Sequence, residues 1–267
     1  GYDVVEVDRA REFLLQVLDS LHLATAITGV PGVIARGFIR TDIPGDGQHE
    51  TLVPLFDDDG NPLPEVKNNG AWRGDNSGGD YPEYIWEDSC SRDQYIGWVA
   101  AAGAAWEVIK DDDTIPQSYK DRLQADAKEL GHALMVVRES GYDLELPDAD
   151  GRTTLHGYMN EQCIDSNVYV PGLRNGFHAV MALGAVATWA YVSEDPELKT
   201  FLYDDLIATR ELDMMPAEDM GPVNTGVGTN FSNFNMAFQG FWLALRYVDS
   251  APARARLRQG LDKKLYD

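Results

Sequence analysis

Apolar positions along the chain fall into two kinds of segment. From Gln94 to Trp106 (QYIGWVAAAGAAW) there is no charged residue, and apolar side chains point in every helical direction. Gly176 to Val192 (GFHAVMALGAVATWAYV) reads the same way, and Asn235 to Val248 nearly so, with Arg246 as the exception. Such segments predict helices buried on all sides. Between them lie charged segments, Gln117 to Glu139, Pro196 to Asp213 and Pro252 to Tyr266, each with an apolar stripe and a polar face. In the first, Leu123, Ala127, Leu130, Leu134 and Val137 form the stripe. Pro116, Pro196 and Pro252 mark the starts, since proline is favoured in a first helical turn. Another helix is predicted over about Val7 to Ala26. Only Gly32 to Ile39 and Thr51 to Phe56 read as extended.

Buried helices alternating with amphipathic ones predict an all-α fold in two concentric layers, the plan of a partial or open α/α toroid. Connections from a buried helix outward are short: Lys110 to Ile115, Ser193 to Asp195, Asp249 to Ala251. The returning connections are long, spanning 27–92, 140–174 and 214–233. In this plan the inner helices are parallel, so all three long loops converge on one face, where function usually sits. A closed ring of six helical pairs needs about a third to a half more chain at ordinary element lengths. The expected unit is therefore one open or partial domain over residues 1–267, or a fragment of a longer toroid, without an alignable sequence repeat.

Charge narrows the function classes. Forty-four acidic against 22 basic side chains give a net charge of −22 over 267 residues. That field repels phosphate backbones and anionic membranes, so neither nucleic acid nor a membrane is an expected partner. It agrees with an extracellular or periplasmic setting. The longest uncharged stretch, Asn175 to Ser193, is short and rich in small residues, which argues against insertion in a bilayer. Cys90 and Cys163 are the only cysteines, open to one disulfide or two free thiols. There is no Gly-rich phosphate loop, HExxH or GxSxG, so kinase, dinucleotide oxidoreductase, zinc protease and α/β-hydrolase readings lose support.

The long loops carry the chemistry. Trp86, Asp88, Ser91, Asp93 and Gln94 stand at the threshold of the first inner helix. Asp93 reads either as a first-turn acid matched to the helix dipole or as a catalytic carboxylate at the mouth. Trp72, Trp86, Tyr81 and Tyr84 read as core or as stacking surfaces for sugar rings. The second loop gathers His156, Tyr158, Asn160, Glu161, Asp165, Asn167 and Tyr169, a mixture of acids, a neutral-pH base and amide donors. His178, inside the second inner helix, reads as a core residue. The third loop offers Glu218, Asp219, Asn224, Asn230 and Asn233, the last two also suited to capping. Asp57-Asp58-Asp59-Gly60-Asn61 and Asp148-Ala149-Asp150-Gly151 have a weak likeness to calcium loops but lack the distal glutamate, and read as Asp-Gly turns. No cofactor is expected.

Three stretches, GVPGVIARGF after the first helix, WEDSCSRDQYIGW opening the second and DADGRTTLHG beyond the third, resemble bacterial proteins of the six-hairpin-glycosidase-like α/α-toroid architecture. The resemblance implies an α/α toroid that binds or acts on carbohydrate. Three readings follow. A glycoside-hydrolase-like enzyme would use Asp93 with Glu161 or Asp165 as acid and base, Trp72 and Trp86 against sugar rings, and Arg36 on an acidic group. Asp88, Gln94, Asn160, Asn175 and Asn230 complete the expected substrate-binding set. A polysaccharide lyase would use Asn160 or Asn175 with Arg36 to neutralise a uronate, and His156 or Tyr158 to move protons; a basic patch at Arg36, Arg40 and Arg73 would serve it. The third reading is a non-catalytic helical scaffold or binding domain for a glycan or another small polar ligand.

Overall fold

The computed structural model describes residues 4–45, 50–63, 70–164, 167–220 and 231–266. The chain is mostly α, with two small antiparallel sheets set into the long loops. Helix α1 covers Val4–Ala26, α2 Arg92–Ile109, α3 Gln117–Met135 and α4 Gly176–Ser193. Helix α5 (Pro196–Thr200) runs on as a π-helix over Phe201–Thr209, and a short α6 (Met215–Glu218) follows. Helix α7 is Phe231–Tyr247, and α8 (Ala251–Leu261) is continued by π-helical turns to Tyr266.

Local chemistry starts these helices where the sequence indicates. Asn175 caps α4, its Oδ1 accepting from the N–H groups of Phe177 at 3.1 Å and His178 at 3.3 Å. Ser250 caps α8 through the Ala253 N–H at 3.4 Å, with Pro252 in the first turn. Asp195 caps α5 through Glu197 and Leu198, ahead of Pro196. These caps satisfy donors that the first turn leaves without intrahelical partners. Helix α3 ends at Met135, short of the expected Glu139, because Val136 turns extended.

Helix α4 is the centre of the core. Nearly every residue from Gly176 to Val192 is buried, walled by α2, α3 and α7. It is long and apolar enough to cross a bilayer, but 89% of that stretch is buried inside the protein. Glycines let the backbones close. A Cβ on Gly184 would stand 2.8 Å from the Gly240 carbonyl oxygen, and one on Gly240 would stand 3.0 Å from that of Val180. Contacts along α2, α4 and α7 give their direction. Arg92 lies over the Phe177 ring near two N-termini, whereas Gly103 approaches Thr188 further along. Gly184 meets Gly240, and Tyr191 stacks on Tyr247 at 4.7 Å near the C-termini. The three helices therefore run the same way, each followed by a short turn into an outer helix, and the long loops arrive at their N-terminal ends.

The sheets are the departure from an all-α reading. Strands β1 (Gly37–Arg40) and β2 (Trp72–Arg73) flank β3 (Tyr84–Glu87), with Phe38 opposite Trp86 and Trp72 opposite Glu87. Strands β4 (Glu145–Pro147) and β5 (Thr153–Tyr158) form a separate hairpin. Of the two expected strands, Gly32 to Ile39 overlaps β1. Thr51 to Phe56 joins neither sheet; Val53 N–H bonds the Trp72 oxygen at 2.9 Å, Leu63 N–H the Leu55 oxygen at 3.3 Å, and Phe56 bridges Pro62. A two-residue strand such as β2 is too short for side-chain alternation to announce it.

Gly184→Val should cost about 1–3 kcal/mol by overpacking, read as a lower urea midpoint with unchanged slope; an unshifted midpoint would contradict the close approach. Asp195 supplies a second test. Burial alone would raise its pKa, but Lys128, His132 and the Leu198 N–H together hold it well below the usual carboxylate range. The folded state thus binds that proton less readily than the unfolded chain. The stabilisation is present above about pH 4 and is lost as pH falls through the folded-state value. Asp195→Ala should destabilise the protein by about 1 kcal/mol or more at pH 7, with the gap to the parent narrowing below about pH 4.

Candidate functional site

The threshold of α2 is a capped helix start. Asp93 is exposed in the first turn and accepts a hydrogen bond from the Ser91 hydroxyl. Gln94 closes the capping box, its Oε1 accepting the Ser91 N–H at 3.3 Å. Asp88 is fully buried against the Arg73 guanidinium and also accepts the Ala71 N–H at 2.7 Å. Trp86 is 0% exposed, with its indole N–H on the Gly74 oxygen at 2.8 Å, so it is core and presents no face to a sugar. Trp72 is half-buried on β2. Arg36 stands 3.6 Å from Glu87, whose pKa burial raises while Arg36 pulls it down. The expected basic patch is neutralised internally: Arg36 faces Glu87, Arg40 pairs with Asp42, and Arg73 with Asp88.

The second loop is tied down by a partly buried ionic network. Arg210, just beyond the π-helix, forks onto the Glu161 carboxylate and reaches Asp143 at 2.7 Å and Asp205 at 3.4 Å. These carboxylates hold its guanidinium above its ordinary pKa against the opposing effect of burial. Asn160 Nδ2 donates to Asp143 at 2.9 Å, while the Asn160 carbonyl oxygen lies 3.1 Å from His178 Nδ1. Asn175, besides capping α4, donates to the Cys163 oxygen at 2.9 Å. Glu161, Asn160 and Asn175 are therefore groups that hold the loop against α4 and the π-helix. Glu161, expected as a catalytic carboxylate, is paired with Arg210. Asp165 and Asn230 lie outside the described residues.

What the loop does enclose is a cavity of about 590 Å³ between the end of α3 and the β4–β5 hairpin. Glu145 opens β4 and is completely buried. Strand alternation sends Leu146 into the main core and turns Glu145 to the other face. Its Oε1 accepts the Ser140 hydroxyl at 2.6 Å and the Tyr169 hydroxyl, and its Oε2 accepts the Thr153 hydroxyl. Burial first, then Glu145, push the Tyr169 pKa far up, so that hydroxyl remains a donor. Tyr142 stacks on Tyr169 with centroids 4.0 Å apart, and Tyr158 meets Tyr169 edge-on at 6.2 Å. Tyr158, Asn167, Arg138, Arg152 and Glu139 complete the polar lining. Arg152 is braced by Asp150 and by the Leu63 oxygen at 2.7 Å. His156 sits exposed on β5, on the same hairpin.

The remaining expectations resolve simply. Cys90 and Cys163 are both buried and are not joined in a disulfide, and burial pushes the Cys90 thiol up. Asp57 accepts N–H bonds from Asp59 at 3.0 Å and Asn61 at 2.8 Å, and Asp150 is engaged by Arg152, so both acidic stretches are turns. Among the described residues no group of three or more His, Cys, Asp and Glu side chains is placed to hold a metal ion. Glu145, Arg138 and Ser140 were not singled out by sequence reasoning, because each is an ordinary loop residue until the hairpin folds. Tyr158, Asn167 and Tyr169 carried the one available signal, a loop dense in polar and aromatic side chains.

Comparison with known proteins yields no match to any family model, curated protein or solved structure.

The ionic network and the α2 threshold make opposite predictions. Arg210→Met leaves buried Glu161 without its cation and should destabilise the fold by about 3–5 kcal/mol. Asp93→Asn removes an exposed first-turn charge and should cost less than about 1 kcal/mol. Chemical denaturation of both variants checks the contrast; equal losses would mean that the network does not anchor the loop.

Proposed function

We propose that the chain is a carbohydrate-binding domain built on an open α/α toroid, with its ligand seated in the Glu145 cavity. Three αα-hairpins with parallel inner helices and long loops at one end support the toroid plan. One observation carries the binding reading: a completely buried carboxylate whose two oxygens hold three hydroxyl side chains at the wall of a polar, tyrosine-lined cavity. Glu145 orients Ser140, Thr153 and Tyr169. Their remaining hydrogen-bonding capacity, with Asn167 and Arg152, suits a ligand rich in hydroxyls. Tyrosine rings supply the apolar faces that pyranose rings stack on. An acidic exterior and the resemblance noted above agree with action outside the cytoplasm.

A hydrolase is the second reading, favoured by a specific feature. Glu139 and Glu145 line the same cavity, and glycoside hydrolysis uses a pair of carboxylates across the scissile bond. The binding reading is preferred because both Glu145 oxygens are already committed to hydroxyl partners.

Titration calorimetry of the full chain against neutral and acidic oligosaccharides, with mass spectrometry of the mixtures, tests both. Binding without new fragments is expected, and Glu145→Gln should weaken it at least tenfold, about 1.4 kcal/mol, in protein that still melts cooperatively. Tyr158→Ala, which leaves Glu145 and its three hydroxyl partners in place, should also weaken binding. Fragments that have gained one water would move the assignment to a hydrolase. A panel without any binder would overturn the proposal.

A further inference from the structure

Helix α8 and its π-helical extension run against the charge of the chain. Between Pro252 and Tyr266 stand five basic residues and one acid, Asp262, in a protein of net charge −22. Arg256 turns inward to the buried Asp213, and Arg254 donates to the Val248 carbonyl oxygen at 3.1 Å. Arg258, Lys263 and Lys264 are exposed. Beside them α7 and α8 enclose an open groove of about 460 Å³, lined by Phe238, Phe241, Trp242, Leu245, Arg246 and Leu261. Arg258 and Lys264 lie three residues either side of Leu261, so cations flank the apolar wall. Trp242 leaves 44% of its surface exposed there, while Arg246 is committed to Glu107 and to the Trp242 ring.

An apolar groove with a basic rim fits an aromatic anchor set among acids. The chain itself presents one. Leu52 and Phe56 leave 48% and 42% of their surfaces exposed. Asp57, Asp58 and Asp59 follow Phe56 and are all exposed, and no basic residue occurs between Glu50 and Leu63. A turn holds this segment out: Phe56 bridges Pro62, and Asp57 accepts the N–H groups of Asp59 and Asn61. Three successive acids thus match three exposed cations, and an exposed phenylalanine matches an exposed tryptophan groove. At physiological ionic strength charges act over about 8 Å. The local match therefore favours contact between two copies whose overall charges repel.

We propose that the α7–α8 groove binds a second copy of this chain, with Phe56 of one copy seated beside Trp242 of the other. Asp57, Asp58 and Asp59 then face Arg258, Lys263 and Lys264. The contact joins two different surfaces, the heterologous kind. It does not depend on carbohydrate binding in the Glu145 cavity.

Sedimentation equilibrium of the full chain, from about 1 µM to about 1 mM at physiological salt, reads the association. The average mass should rise above that of the monomer. Phe56→Asp and Trp242→Asp should each remain monomeric. An equimolar mixture of the two should form 1:1 complexes, because the first keeps an intact groove and the second an intact Phe56. Arg258→Glu should weaken association about fivefold or more. Lys199→Glu, the same change of charge on α5, should alter it less than about twofold. Should Trp242→Asp fail to melt cooperatively, Arg258→Glu combined with Lys264→Glu replaces it in the mixture. A parent protein that stays monomeric throughout would overturn the proposal, as would equal effects of the two single charge reversals. So would a mixture that remains monomeric, or a Phe56→Asp variant that associates like the parent, which would mean that another segment fills the groove.

Discussion

A helix without a polar face must be walled in on every side, and α4 imposes that demand on the whole chain. Eighteen residues from Gly176 to Ser193 carry no charge, so every exposed turn would leave apolar area in water at about 25 cal/mol per Å². The answer is a set of neighbours chosen for closeness. Gly184 and Gly240 let α4 and α7 meet backbone to backbone, Tyr95 reaches from α2 to the Trp189 indole N–H at 2.7 Å, and Gly131 admits Leu198 of α5 beside α3. Once α4 is enclosed, the directions of α2, α3 and α7 are no longer free, and the loops must gather at its N-terminal end.

That scaffold was readable in advance because its signals are local. Runs without charge, prolines at first turns and capping residues at Asn175, Asp195 and Ser250 all act within a few positions. The short strands were not readable, since β2 and β4 have two and three residues. The site was less legible still. Glu145 depends on Tyr169, 24 positions away, and Glu161 on Arg210, 49 positions away. Nothing adjacent to either acid distinguishes a carboxylate that orients hydroxyls from one that pairs with a guanidinium. Asp93 shows the converse. Its place in the first turn of α2, beside the Ser91 hydroxyl, follows from local chemistry alone.

The excess of acid also has an internal side. Although the net charge is −22, several arginines are used to order loops: Arg73 on Asp88, Arg152 on Asp150, Arg174 on Glu218, Arg210 on three carboxylates. Abundant carboxylates make such pairing easy.

The spread of contacts along the chain also orders its assembly in time. Each αα-hairpin closes through a short turn, so its loss of chain freedom is small and early. The cavity instead needs β4, β5, the end of α3 and the 167–169 segment together, and its anchor spans from Asp143 to Arg210. Those pairings can form only after the hairpins have docked. The long loops then form the last cooperative unit to assemble and the first to open, and a helical core that outlasts the loop cavity is the expected intermediate on heating.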